Sequence, residues 1–167
     1  IIKDINPTTL NEVDTNIVNA TLEQVGFDNI LIDRVGTNSA EIEFQVDNLN
    51  TIGYGAYIDV ALSHSTLINY DNSGINVLVN KIPIGSIKLS NDTSDKHIKR
   101  ISIPINVFVS GINTLSFQVM LNADDECFFR DEGTIWANIL AETKLFIPQA
   151  SDLRLIENAP IDLNVYP

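Results

Sequence analysis

GINTLSFQVMLNADDECFFRDEGTIWANILAETKLFIP, residues 111–148, is the stretch whose reading decides the fold. Leu115, Phe117, Val119 and Leu121 alternate there with Thr114, Ser116 and Gln118. That period of two predicts a half-buried strand, opened by a turn at Gly111, Ile112 and Asn113. An acidic loop over 122–133 follows and carries the one cysteine, Cys127. A second strand is expected over 134–140, with the one tryptophan, Trp136, and a third over 144–147, stopped by Pro148.

Working back from this stretch, the chain supplies partner strands. Ile42, Phe44 and Val46 alternate with Glu41, Glu43 and Gln45; Ile58, Val60 and Leu62 form another row, and Ile75, Val77 and Val79 a third. Asn80-Lys81 reads as a two-residue hairpin turn, which demands positive φ and favours Asn at its first position. The return strand over 82–89 contains Gly85, expected at a bulge or a close approach. Ile101, Ile103, Ile105 and Val107 resume the alternation, with Pro104 marking an edge or an irregular strand. Earlier strands are expected from Thr21 towards Gly26 and over 30–35. No segment carries a convincing helical period. Short strands at near-regular spacing predict an all-β chain, an antiparallel β-sandwich. One cysteine excludes the Cys…Trp…Cys spacing of immunoglobulin domains, so a jelly-roll arrangement is expected. The domain reading is a leading segment over 1–20, the sandwich over 21–148 and an exit linker over 149–167.

Composition narrows the function. With 44% hydrophobic and 19% charged residues in 167, the chain reads as one globular domain. A net charge of −12 and scattered Lys and Arg argue against nucleic acid and anionic membrane surfaces. A neutral polymer is indifferent to that charge. The first residue is Ile rather than Met, which reads as a processed or excised piece of a longer chain.

One ordered series of residues is more specific. Leu62-Ser63-His64-Ser65 is followed by 75–80 with its Asn-Lys turn, Ile84-Gly85-Ser86 and Ile101-Ser102-Ile103-Pro104. Then come Gly111-Ile112-Asn113-Thr114-Leu115-Ser116-Phe117, Cys127, Ile135-Trp136-Ala137 and Leu145-Phe146-Ile147-Pro148. This succession resembles the periplasmic B subunit of bacterial cellulose synthase, in one of its carbohydrate-binding jelly-roll modules. The resemblance spans roughly 21–148. It implies a non-catalytic module that binds or guides a nascent β-glucan beside the catalytic synthase subunit. It also implies an extracytoplasmic location, periplasmic or at the cell surface, a following flavodoxin-like domain and a membrane anchor outside this chain. Two places depart from the family pattern: Asn80-Lys81 stands where Asn-Gly is usual, and the 122–133 loop is unusually acidic.

Glucan binding needs aromatic platforms, because a pyranose presents an apolar face of C–H groups to a ring. The candidate carbohydrate-binding residues are Trp136, Tyr54, Tyr70, Phe128 and Phe129. Trp136 either covers the rim of the core or stacks on sugar; Tyr54 sits between two glycines in a loop, and Tyr70 precedes a turn. Covering one ring face buries roughly 75–125 Å², which at ~25 cal/mol/Å² gives roughly 2–3 kcal/mol. That falls short of the ~4 kcal/mol of a millimolar site, so a single platform grips weakly.

No cofactor and no metal site are expected. Asp124, Asp125, Glu126, Asp131 and Glu132 suggest calcium by their charge but lack EF-hand spacing, and a solvated acidic loop is the simpler reading. His64 and His97 are the two histidines; Ser63-His64-Ser65 on a strand is not a nucleophile elbow. The chain is therefore read as a binding module rather than an enzyme. The alternative is a structural sandwich docking on the synthase or a neighbouring domain without sugar contact.

Overall fold

β8 (Gly111–Leu121) is the spine of the structure, a computed structural model described over residues 18–123 and 135–148. It pairs antiparallel with β3 (Gly36–Val46) along its whole length and with β5 (Gly74–Val79) on its other edge. β6 (Ile82–Lys88) pairs with β5 and completes a four-stranded sheet in the order β3-β8-β5-β6. The expected rows coincide: Leu115, Phe117, Val119 and Leu121 are buried, as are Ile75, Val77 and Val79. Asn80 and Lys81 adopt φ of 52° and 69°, the doubly positive turn expected for a two-residue hairpin.

The other sheet is built around β4 (Tyr57–His64). β7 (His97–Ser102) pairs with one edge of it. Its other edge is shared by β9 (Ala137–Ile139) and β10 (Lys144–Ile147), and these carry β2 (Ile30–Ile32) and β1 (Val18–Thr21) respectively. Between β9 and β10 the ladder breaks. The Thr143 hydroxyl mends the gap, accepting from Ala61 N at 2.9 Å and donating to Ala61 O at 3.3 Å, while Leu140 N donates to the same carbonyl at 2.8 Å. Every pairing in both sheets is antiparallel, and the inner rows of the two share one apolar core. The fold is an antiparallel β-sandwich of jelly-roll type, as the alternation predicts.

Some details differ from expectation. The strand expected over 134–140 is limited to Ala137–Ile139, with Trp136 just before it. The strand expected from Thr21 towards Gly26 ends at Thr21; Glu23–Val25 forms a 3₁₀ turn, closed by Gly26 at φ 96°. The strand expected over 30–35 stops at Ile32. The row at 101–107 is interrupted: β7 ends at Ser102, and Pro104 precedes a 3₁₀ turn at Ile105–Val107. Gly85 is at a close approach, as expected. A Cβ there would lie 2.8 Å from Ile101 Cγ2, so this glycine lets β6 and β7 close one side of the sandwich. Ile84, absent from the β5 register, is the extra residue beside it.

Candidate functional site

The start of β4 gathers a cluster on the outer face of its sheet. Ile58 and Val60 point into the core, so alternation turns Tyr57 and Asp59 outward. Phe146 stands opposite Tyr57 on β10, and Arg100 stands opposite Asp59 on β7. The Tyr57 and Phe146 rings stack, with centroids 5.0 Å apart and planes 27° apart. From the strand on the other side, Arg100 lays its guanidinium 3.7 Å from the Tyr57 centroid. Tyr57 is thus flanked by a ring and a cation, a column held by stacking and cation–π attraction.

Asp59 fixes the end of that column. Its Oδ1 accepts from Arg100 Nε at 2.8 Å and its Oδ2 from Nη2 at 2.9 Å, a two-pronged charge-assisted pair. These bonds hold the Asp59 carboxyl below the usual carboxylate range against the opposing effect of burial, with help from the nearby Lys144 charge. The same bonds raise the Arg100 guanidinium.

Beside this column lies a groove of about 460 Å³, walled by Tyr57, Arg100, Ser102, Pro104 and Ile105. Tyr54 stands at its rim and is 70% exposed. Gly53 N donates to Pro148 O at 2.8 Å, which ties the loop base to the end of β10. Gly55 adopts φ 99°, a left-handed conformation that glycine tolerates. Tyr54 therefore offers a largely bare ring beside the guanidinium and an apolar floor.

The other candidate residues lie elsewhere. Tyr70 and Trp136 sit at the far end of β4, whose eight residues separate the ends by roughly 24 Å at ~3.4 Å per step. Tyr70 packs against the core, meets the His64 ring edge-on at 5.8 Å and donates to Asn91 Oδ1 at 3.1 Å. Trp136 is half-buried just before β9, and its carbonyl accepts from Ser65 N. A second groove, lined by Asp71, Asn72, Ser73, Met120, Asn122 and Ala123, opens at this end. Phe128 and Phe129, with Cys127 and the acidic residues around them, fall outside the described residues. Among the described residues no group of His, Cys, Asp and Glu is arranged to hold a metal ion.

His64 is 2% exposed. Its Nδ1 lies 2.9 Å from Ser65 O and its Nε2 2.7 Å from Thr93 Oγ1. Nδ1–H donates to the Ser65 carbonyl, and Nε2 shares the Thr93 hydroxyl with Ser90 O, which lies 3.0 Å from the same oxygen. Burial lowers its pKa, against the raising effect of the Ser65 and Ser90 backbone. In the unfolded chain histidine titrates near ~6.5. Below that value the unfolded state takes up the proton first, so the contribution of His64 to stability is present above pH ~6.5 and is lost as pH falls towards the folded value. Urea unfolding between pH 7.5 and 5 is expected to show the midpoint falling with pH. In His64→Gln that fall is expected to be shallower; an equal slope would mean that His64 is not the titrating group.

Tyr57, Phe146, Asp59 and Arg100 were not candidates from the sequence. The outward position of Tyr57 and Asp59 was available from the alternation with Ile58, Val60 and Leu62. That Arg100 lies across from Asp59, 41 residues away, depends on strand pairing and has no local signal.

Three comparisons bear on this arrangement. The family model described as "Cellulose synthase BcsB, first CBM domain" matches residues 15–150. A search of the curated proteins gave no match. Among solved structures the chain is similar to dimeric latent PorU from Porphyromonas gingivalis, at TM-score 0.48 and 10% identity, covering 80% of this chain but 13% of that one. A family 35 carbohydrate-binding module from an environmental isolate gives TM-score 0.43 at 13% identity, covering 71% of this chain and 74% of that one. The module CBM36 in complex with calcium and xylotriose gives 0.40 at 12%, covering 78% and 87%. At these scores and identities none of the three carries weight for function.

Proposed function

The chain belongs to the family of first carbohydrate-binding-module domains of the cellulose synthase subunit BcsB, and from that premise we propose that it binds a β-glucan chain in the groove beside Tyr54 and guides it without cleaving it. The observation that carries this reading is the 70% exposed Tyr54 ring at the rim of a groove that also offers Arg100 and Ser102. A pyranose laid on Tyr54 would place its C–H face on the ring, and its hydroxyls would reach the guanidinium and the serine.

Weak grip follows from the size of such a platform. One ring face supplies roughly 2–3 kcal/mol before association costs, so affinity has to come from several contacts along a polymer or from tethering beside the synthase. That suits a guide along which the chain slides. The parent protein's extracytoplasmic location and the synthase partner belong to the same proposal, as do the sandwich limits, expected at 21–148 and extended at the start to Val18, where β1 joins the sheet.

Native gels cast with a soluble cellulose derivative, and pull-down on insoluble glucan, test it. The unsubstituted protein is expected to be retarded, and Tyr54→Ala to lose roughly tenfold or more in affinity, while Tyr54→Phe keeps most of it. Retention unchanged in Tyr54→Ala but abolished in Trp136→Ala would move the site to the far end of β4. No retention by any glucan would favour the docking reading, for which Val25, Phe27, Leu31 and Val35 are apolar and exposed in one stretch around β2.

A further inference from the structure

We propose that Asp59 is the charge selector of the groove, keeping it a site for neutral glycans and closing it to uronic-acid polymers. The inference rests on the groove being the glycan site.

Its physical basis is that Asp59 cancels the Arg100 charge at the groove. Nε–H and one Nη2–H go to Asp59, at 2.8 and 2.9 Å. Nη1 makes no hydrogen bond within the described residues and belongs to a side chain that lines the groove and is 60% exposed. The guanidinium also sits 3.7 Å from the Tyr57 centroid, a contact that favours its present seat. A carboxylate is best recognised by two parallel N–H bonds from one guanidinium. Asp59 occupies one such edge with its own carboxylate and leaves the Nη1/Nη2 end of a pair of zero net charge. That end can bond sugar hydroxyls, whereas a uronate gains no net charge attraction there and its carboxylate would face the neighbouring Asp59 oxygens.

Removing the Asp59 charge opens the groove to polyuronates. The guanidinium keeps its seat on Tyr57, its Nε–Nη2 edge is released, and Lys144, the cross-strand neighbour of Asp59 on β10, loses a counter-charge. The outer face then presents two unbalanced cations beside the groove. At physiological salt the Debye length is about 8 Å, so these local charges outweigh the acidic remainder of the chain.

Native gels containing either a neutral soluble β-glucan or polygalacturonate decide the matter, run on the unsubstituted protein, Asp59→Asn, Asp59→Ser, Arg100→Ala and Tyr54→Ala. The unsubstituted protein is expected to be retarded by the glucan alone. Asp59→Asn and Asp59→Ser are expected to gain roughly tenfold or more in apparent affinity for polygalacturonate, a gain removed by high salt and by adding Arg100→Ala. Glucan retention without any gain of polyuronate binding in both Asp59 variants overturns the selector role and leaves the glycan site standing. Loss of glucan retention in Tyr54→Ala confirms the site independently of Asp59. If the unsubstituted protein ignores the glucan as well, the glycan site fails and the selector fails with it. Thermal unfolding of each variant separates these results from misfolding; the Asn and Ser offered at the half-buried position 59 are small and polar.

Discussion

Phe117→Ala is expected to remove about 4 kcal/mol of unfolding free energy, within the ~3–5 kcal/mol typical of a buried Phe truncated to Ala. Phe117 is fully buried at the centre of β8, opposite Ala40 of β3 and Val77 of β5. Its position between two paired strands keeps the backbone from closing over the lost ring, so the cavity persists and adds to the transfer cost. A domain of ordinary stability holds ~5–15 kcal/mol in all, so the variant is expected to be marginal at 37 °C. Guanidinium unfolding measures it, through a lowered midpoint at unchanged slope. A loss below about 1.5 kcal/mol would mean that the two sheets do not close over this ring.

The second large effect is expected from a polar residue. Asn113 is 0% exposed and fully bonded. Its Nδ2 donates to Val109 O at 2.8 Å and Gly111 O at 3.2 Å. Its Oδ1 accepts from Val109 N at 2.9 Å and from Asn80 Nδ2 at 2.8 Å. Asn80 in turn donates to Val107 O at 2.8 Å and accepts from Thr114 N at 3.0 Å. The pair joins the β5–β6 turn to the loop before β8. Asn113→Leu keeps the branched outline but strands the Val109 and Gly111 backbone groups without partners. Each orphaned buried group costs about 1–3 kcal/mol, so a loss of roughly 3 kcal/mol is expected, read by the same unfolding experiment. Asn80→Ala on top of Asn113→Leu is expected to cost less than Asn80→Ala alone by about 1 kcal/mol, the worth of the shared bond, while its bonds to Val107 and Thr114 are still lost; full additivity would show that the two amides act separately.

The limits of sequence reading follow from the kind of signal each element carries. β8 and β5 were legible because period-two burial is local: Leu115, Phe117 and Val119 announce their own face; β10 was legible from the stop at Pro148. The row at 101–107 misled for an instructive reason. Ile101, Ile103 and Val107 are all buried, yet Val107 reaches the core from a 3₁₀ turn, since Pro104 ends the ladder. At 22–26 only Leu22 is buried, too little to define a face, and the turn won. At the candidate site the exposure of Tyr54 followed from its flanking glycines. The Phe146–Tyr57–Arg100–Asp59 column did not, because it is assembled from three strands whose order no local pattern encodes.

The mended junction at Thr143 has a consequence for how the module comes into being on the ribosome. All four strands of the β8 sheet are in hand once Leu121 has been synthesised, while β4 still has one bare edge that waits for β9 and β10, the last strands made. During that interval the finished sheet has no complete lid, and its oily side and the open flank of β4 are both available to the wrong neighbour. A nascent chain stalled before Pro148 would thus be sticky rather than merely incomplete, and the last ten or so residues of the module act as its seal.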